Sequence, residues 1–269
     1  MNTLCKRIAS LALVWTVLFL SPFFSALFPV LAQEDEQKVV PLPPKDWPKP
    51  VADTPIIGYL LVDQLEYRAN RGTDTVNWEI QGWLGGDYNK LWFKATDGEQ
   101  ETSGEKGGDF QGQLLYSRLI SPFFYFQIGG RYDRVWGGGS QHSRGLGVVG
   151  FQGLAPYWFD IEPALFISQD GDVSARLEAE YELLLTQRLI LQPRFETNVA
   201  VQRVKRFGVG KGFNDIELGL RLRYEIRRQF APYIGVNWTR LFGDTADLAR
   251  REGSKVSIPA FVAGVRMWW

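Results

Sequence analysis

The sequence predicts an all-β protein, a transmembrane antiparallel β-barrel of about twelve strands, lying behind a secretory signal peptide. Three observations lead there. Short segments alternate charged and apolar residues with period two. After Ala32 no stretch approaches the roughly 18–20 consecutive apolar residues that a spanning helix needs. The chain also ends on an alternating aromatic strand: Phe261, Ala263, Val265, Met267 and Trp269 fall on one face. Aromatic residues make up 14% of the 269 residues, with ten Trp, ten Tyr and eighteen Phe. Barrels concentrate such residues in girdles at the membrane interfaces.

The N-terminus reads as targeting. Lys6 and Arg7 form a positive region, and an apolar run follows from Ile8 to Leu31. Val30-Leu31-Ala32 then offers small residues for cleavage before Gln33. An uncleaved anchor is the alternative, and Pro22 and Pro29 argue against one continuous spanning helix. Cys5 is removed with residues 1–32, so the mature chain carries neither a disulfide nor thiolate chemistry. Residues 33–55 hold six of the fourteen prolines and start acidic at Glu34-Asp35-Glu36. Proline removes backbone donors, so this interval is expected to be an extended periplasmic linker. The barrel then occupies 56–269.

Within the barrel the predicted strands are 56–69, 74–84, 87–96, 109–119, 123–134, 145–153, 157–167, 173–185, 188–201, 214–228, 231–241 and 258–269. The clearest alternation places Arg176, Glu178, Glu180 and Glu182 on one face and Leu177, Ala179, Tyr181 and Leu183 on the other. After a turn at Thr186-Gln187 it resumes with Arg188, Gln192, Arg194 and Glu196 against Leu189, Leu191 and Phe195. A third copy sets Glu217, Arg221, Arg223, Glu225 and Arg227 opposite Ile216, Leu218, Leu220, Leu222, Tyr224 and Ile226. Charges of mixed sign on one face suit a polar lumen in which Arg and Glu of neighbouring strands pair. Tight links at Gly85-Gly86, Ser121-Pro122, Ala155-Pro156, Thr186-Gln187 and Arg228-Gln229 alternate with generally longer connections. The latter are 70–73, 97–108, 135–144, 168–172, 202–213 and 242–257. This asymmetry matches short periplasmic turns and longer external loops. Both termini then fall on the periplasmic side.

Little in the chain suggests catalysis. Its one histidine, His142, falls in the predicted loop Gly137–Arg144, away from any nucleophile–base pair. Lys+Arg and Asp+Glu balance at 30 each, which offers no field for nucleic acid. Gly137-Gly138-Gly139 and Gly208–Gly212 lack the Lys-Ser/Thr ending of a phosphate loop and read as loop tips. Soft copper(I) prefers sulfur and copper(II) imidazole, while carboxylates suit harder ions. The candidate cation holders are therefore Glu79, Asp87, Glu178, Glu180, Glu182, Glu217 and Glu225. Their alternative role is to pair in a lumen network with Arg118, Arg131, Arg176, Arg194, Arg221 and Arg223. Met267 is placed on the lipid face with Trp269. No organic cofactor is expected.

Several segments resemble the copper resistance protein B family of outer-membrane proteins. They include Asp63-Gln64-Leu65-Glu66-Tyr67, Gly85-Gly86-Asp87 with Leu91-Trp92, Leu115-Tyr116-Ser117-Arg118 and Gly130-Arg131-Tyr132-Asp133. Gly153-Leu154-Ala155-Pro156-Tyr157-Trp158-Phe159, Phe242-Gly243-Asp244-Thr245-Ala246 and Gly264-Val265-Arg266 continue the likeness. The longest matches are Leu177–Arg194 (LEAEYELLLTQRLILQPR) and Gly219–Trp238 (GLRLRYEIRRQFAPYIGVNW). The resemblance implies an outer-membrane barrel among lipids. It also implies work in copper tolerance, by export or sequestration, alongside a periplasmic copper-handling protein. A narrow general ion channel or a structural barrel without metal specificity is the competing expectation. Family members commonly carry a Met- and His-rich stretch before the barrel, whereas residues 33–55 here contain neither residue.

Overall fold

Alternation becomes pairing along the whole of the barrel region in the computed structural model, which describes residues 56–70, 73–102, 107–137 and 140–269. The signal-peptide and linker expectations lie outside these residues. Among the described residues twelve antiparallel strands follow one another in chain order. They are β1 (Ile57–Asn70), β2 (Thr75–Gly85), β3 (Asn89–Glu101), β4 (Gly108–Ser121), β5 (Phe124–Gly137) and β6 (Ser140–Ala155). Then come β7 (Phe159–Ser168), β8 (Val173–Glu180, resuming at Leu183–Leu184), β9 (Leu189–Ala200), β10 (Gly212–Tyr224), β11 (Phe230–Leu241) and β12 (Ser257–Trp268). β12 pairs with β1 from Leu61↔Trp268 to Asn70↔Ala260, and Leu60 and Trp269 exchange backbone bonds of 3.0 and 2.9 Å. The sheet is thereby closed, so no strand edge is left unpaired.

The burial pattern is that of a soluble protein turned inside out. Glu66, Ser117, Gln127 and Arg221 are nearly inaccessible, while Phe261 is 74%, Ile234 64% and Leu114 57% exposed. An apolar outer wall around a polar interior suits hydrocarbon outside and paired charges within. One sector of the interior is apolar: Leu115, Leu146, Val148 and Phe166 pack together with Trp92 and Ala164.

Two sequence irregularities shape the wall. In β1 the register to β12 slips between Val62 and Leu65, so consecutive residues Asp63 and Gln64 are both buried. A bulge of this kind turns two neighbours to one side. In β8 the ladder breaks at Tyr181-Glu182. Tyr181 N–H donates to Pro193 O at 3.1 Å, but Pro193 has no N–H to return.

The connections differ from expectation at four places. The predicted loop 135–144 is largely strand, with Val135 paired to His142, so the only histidine sits on β6. β3 continues to Glu101, past the predicted end at 96. β10 ends at Tyr224, which leaves Glu225 in the turn. The segment 242–257 contains a helix, α1 (Gly243–Arg251), with Asp244 in its first turn and Arg250 and Arg251 in its last. Those charges complement the helix dipole. Loop 201–211 leans on α1: Gly210 N–H donates to Thr245 Oγ1 at 2.9 Å, and a Cβ at Gly210 would lie 2.2 Å from Thr245 N. Arg203 Nε donates to Asp244 Oδ2 at 3.1 Å, and this bond holds the carboxyl below its ordinary pKa. The tight turns cluster at one end of the barrel, and α1 and the longer loops at the other.

Candidate functional site

The inward faces of the strands carry the charged residues, and closure of the barrel brings distant ones together. Glu66 on β1 is the most enclosed. Its carboxylate accepts from Arg221 Nε and Nη2, each at 2.9 Å, from Arg68 Nε at 2.8 Å and from Tyr233 OH at 2.9 Å. A carboxylate met in this way on both oxygens is a strong, directional anchor. Gln64, brought inward by the bulge, accepts from Arg221 Nη2 at 2.9 Å and donates to Glu79 Oε2 at 3.0 Å. It links this cluster to a second one centred on Arg194. There Arg194 Nη1 meets Glu79 Oε2 at 2.5 Å, while Nη2 meets Glu178 at 3.2 Å and Glu196 at 3.7 Å. Glu79 stands on β2 and Arg194 on β9, so this pair spans the lumen rather than joining neighbouring strands. Lys94 on β3 reaches Glu162 on β7, and Arg176 Nη2 on β8 reaches Gln111 on β4 at 3.0 Å.

These bridges form a septum. On the loop side lies a cavity of about 650 Å³, lined among others by Arg131, Asp133, Arg144, Arg176 and Phe207. On the turn side lies a chamber of about 260 Å³ that includes Asp63, Glu79, Lys94, Glu180, Arg194 and Arg266. The two share no lining residue. Arg131 sits over the Phe166 ring at 4.5 Å and Arg144 over Phe207 at 4.2 Å, so apolar surface supports the guanidinium groups. At the turn-side mouth Lys90 lies 4.2 Å from the Trp83 ring and 4.5 Å from Tyr125.

Five of the expected network arginines face the lumen. Arg131 pairs with Asp133 at 2.5 Å, and Arg223 Nη2 with Glu182 at 2.8 Å. Arg176 meets Glu196 at 3.4 Å and Glu178 at 3.6 Å; Arg194 and Arg221 are described above. Arg118 does not belong with them. It shares the outward parity of Leu114 and Tyr116 and is exposed near the tight-turn end of β4. Of the candidate cation holders, Glu79, Glu178, Glu180, Glu182 and Glu217 face inward. Glu217 accepts from Arg68 at 3.2 Å and Thr239 at 3.1 Å. Asp87 is exposed in the β2–β3 turn, and Glu225 pairs with Arg228 at 3.0 Å in the β10–β11 turn. Among the described residues no three His, Cys, Asp or Glu side chains converge as a metal-ligand set. His142 rests 6.4 Å from the Phe207 ring.

The sequence reading had not singled out Asp63, Glu66, Arg68, Lys94, Glu162, Tyr233 or Arg266 as site residues. For Arg266 the signal was present. Alternation that turns Val265 and Met267 outward must turn Arg266 inward, where its Nε lies 2.7 Å from Asp63. Gly264 is needed beside it. A Cβ there would stand 2.6 Å from Leu65 O, 2.7 Å from Glu66 Cβ and 2.7 Å from Tyr233 OH. Gly264→Ala is expected to cost about 1–3 kcal/mol by overpacking the Glu66 cluster. An unchanged urea midpoint for the refolded barrel would contradict that.

Fold and lumen together define an outer-membrane-type β-barrel whose interior is crossed by ion pairs. The profile of the copper resistance protein B precursor family matches residues 56–269. Copper resistance protein B of Escherichia coli is 42% identical over 225 residues, covering 81% of this chain and 72% of that protein. The copper resistance protein B homolog of Pseudomonas syringae pv. tomato is 37% identical over 219 residues, with the same coverage. The chain belongs to the copper resistance protein B family. Among solved structures it is similar to the KdgM porin (TM-score 0.47, 8% identity), covering 78% of this chain and 98% of that one. It is likewise similar to the NanC porin (TM-score 0.47, 14% identity), covering 77% and 98%.

Proposed function

We propose that this barrel resides in the outer membrane and serves copper resistance as a guarded conduit, with copper as its cargo and no catalytic step. The observation that carries the reading is the Arg194 septum between two lumen cavities, in a chain of this family. The apolar outer wall suits a lipid bilayer. The tight-turn end then faces the periplasm, where a copper-handling protein would present metal to the turn-side mouth. Export is favoured over sequestration by the ligand inventory. From residue 56 onward the chain has one His, one Met and no Cys, too few soft donors to store copper. Absence of a converged ligand set among the described residues equally favours the second reading, a narrow channel without metal preference.

Survival of a deletion strain across a copper series separates the two. Copper sensitivity that the intact gene restores, with unchanged tolerance to zinc and nickel, is the expected result. Equal changes for all three metals would favour the general channel, and unchanged copper tolerance would overturn the proposal.

A further inference from the structure

The outward faces of β10, β11 and β12 carry one charged side chain, Arg240, close to the loop end of β11. Thr239 turns inward to Glu217 and Trp238 turns outward, so alternation points Arg240 away from the lumen. Its ladder partners are Ile216 on β10 and Ser257 on β12. Leu218, Val236, Pro259 and Phe261 complete the surrounding wall, and none of these neighbours can neutralise a guanidinium. Among the described residues Arg240 makes no hydrogen bond and no ion pair. A basic side chain on the lipid face of a barrel is destabilising near the bilayer middle and tolerated only near the headgroups.

A second cation stands beside it. Leu241 N–H donates to Val256 O at 2.9 Å, so the β11–β12 ladder runs on beyond the Arg240–Ser257 rung. Lys255, two residues before Ser257, is therefore the diagonal neighbour of Arg240 on the outward face. Such neighbours lie roughly 7–8 Å apart, within reach of long side chains. Lys255 is exposed and likewise has no ion pair among the described residues. Aromatic rings frame the two cations. Trp238 is 40% exposed, lies two residues nearer the middle of the wall and donates its indole N–H to Ser257 Oγ at 2.9 Å. On the other side Phe242 packs against exposed Phe213 with ring centroids 5.2 Å apart. Aromatic side chains with basic ones just beyond them mark the level of a membrane interface.

We propose that Arg240 and Lys255 form a docking site for a phosphate group of lipid A, the phosphorylated glucosamine lipid of the outer leaflet. The inference rests on the reading that the barrel lies in the outer membrane with its loop end outward. Charge complementarity selects this occupant. A phosphomonoester carries roughly −1.5 to −2 at neutral pH, which matches two cations that the protein leaves uncompensated. The Arg240 fork suits two phosphate oxygens, and Lys255 adds a point charge. The Ser257 hydroxyl accepts from Trp238 and keeps its own proton to donate. Trp238 and Phe242 supply apolar surface for the sugar and the first part of the acyl chains. The bound lipid ties the β11–β12 connection, and with it α1, to the membrane surface.

The test uses the full-length protein in detergent, titrated with purified lipid A and followed by native mass spectrometry. The intact protein is expected to bind lipid A, and Arg240→Ala/Lys255→Ala to bind it roughly tenfold or more weakly. Arg240→Lys keeps the charge but loses the fork, so its affinity should fall between the two. Lys255→Ala alone, at an exposed position beyond the strand, guards against a folding defect in the double variant and should also bind more weakly. Arg118→Ala removes one outward charge at the opposite end of the barrel and should leave the affinity unchanged. Lipid A stripped of its phosphates should bind the intact protein no better than intact lipid A binds the double variant. Equal affinity of the intact protein and both alanine variants, or an equal loss in Arg118→Ala, would overturn the proposal. Equal affinity for phosphatidylglycerol would overturn the choice of lipid. Density fractionation of cell membranes checks the location separately: a barrel found in the outer membrane that ignores lipid A loses this site and keeps its location.

Discussion

Glu66→Ala is expected to lower the stability of the refolded barrel by about 3–5 kcal/mol, the cost of stranding buried charge. The Glu66 side chain is wholly enclosed, and Arg221, 3% exposed at its side chain, directs two hydrogen bonds to it. Without the carboxylate, Arg221 keeps only its bond to Gln64 among those described, and Tyr233 OH loses its acceptor. Removing both charges together should be far milder. Glu66→Leu/Arg221→Met leaves apolar groups of similar size and no stranded ion, and such replacements are often neutral or stabilising. Urea midpoints of the barrel in micelles measure both variants. A double variant as unstable as Glu66→Ala would show that shape, not charge pairing, holds this part of the lumen.

Arg194→Ala is expected to join the two lumen cavities and raise conductance severalfold in a planar bilayer, with preference for cations. Arg194 bridges Glu79 on one side of the lumen and Glu178 and Glu196 on the other. Truncation removes the bridge and leaves carboxylates lining the new aperture, and rings of carboxylates favour cations. Arg194→Lys keeps the charge but loses the two-pronged contact, so it should fall between the two. If Arg194→Ala folds but conducts like the intact barrel, the septum lies elsewhere, with the Lys94–Glu162 bridge the next barrier along the lumen.

How far the sequence announced these features varies from strand to strand. Strands β8 to β11 were legible because Arg176 to Leu183 and Glu217 to Arg227 keep strict period two. In β1 the rule failed. Asp63 and Glu66 are three residues apart, so strict alternation puts them on opposite faces, yet the bulge turns both inward. Arg118 was misplaced for a related reason. Asp109 and Arg118 stand on opposite faces of that strand, so charge alone does not reveal which face is wet, and the parity of Arg118 with Leu114 and Tyr116 puts it outside. Asp87 and Glu225 were carried past strand ends into the lumen, because acidic character says nothing about where a ladder stops. His142 and the connection around it were read as loop, since Gly137-Gly138-Gly139 resembles a loop tip whether the turn is long or tight. Helix α1 was hidden in a polar segment whose first-turn Asp244 and last-turn arginines were recognisable signals left unused.

The sequence by itself determined the closed barrel, its apolar exterior and its mixed-charge interior. Those follow from the order of side chains along each strand, and period two is a local property of extended backbone. Only the tertiary structure decided which charges meet. Glu79 and Arg194 are 115 residues apart, and Glu66 and Arg221 are 155 apart. They touch because closure and curvature bring non-adjacent strands within side-chain reach across a narrow lumen.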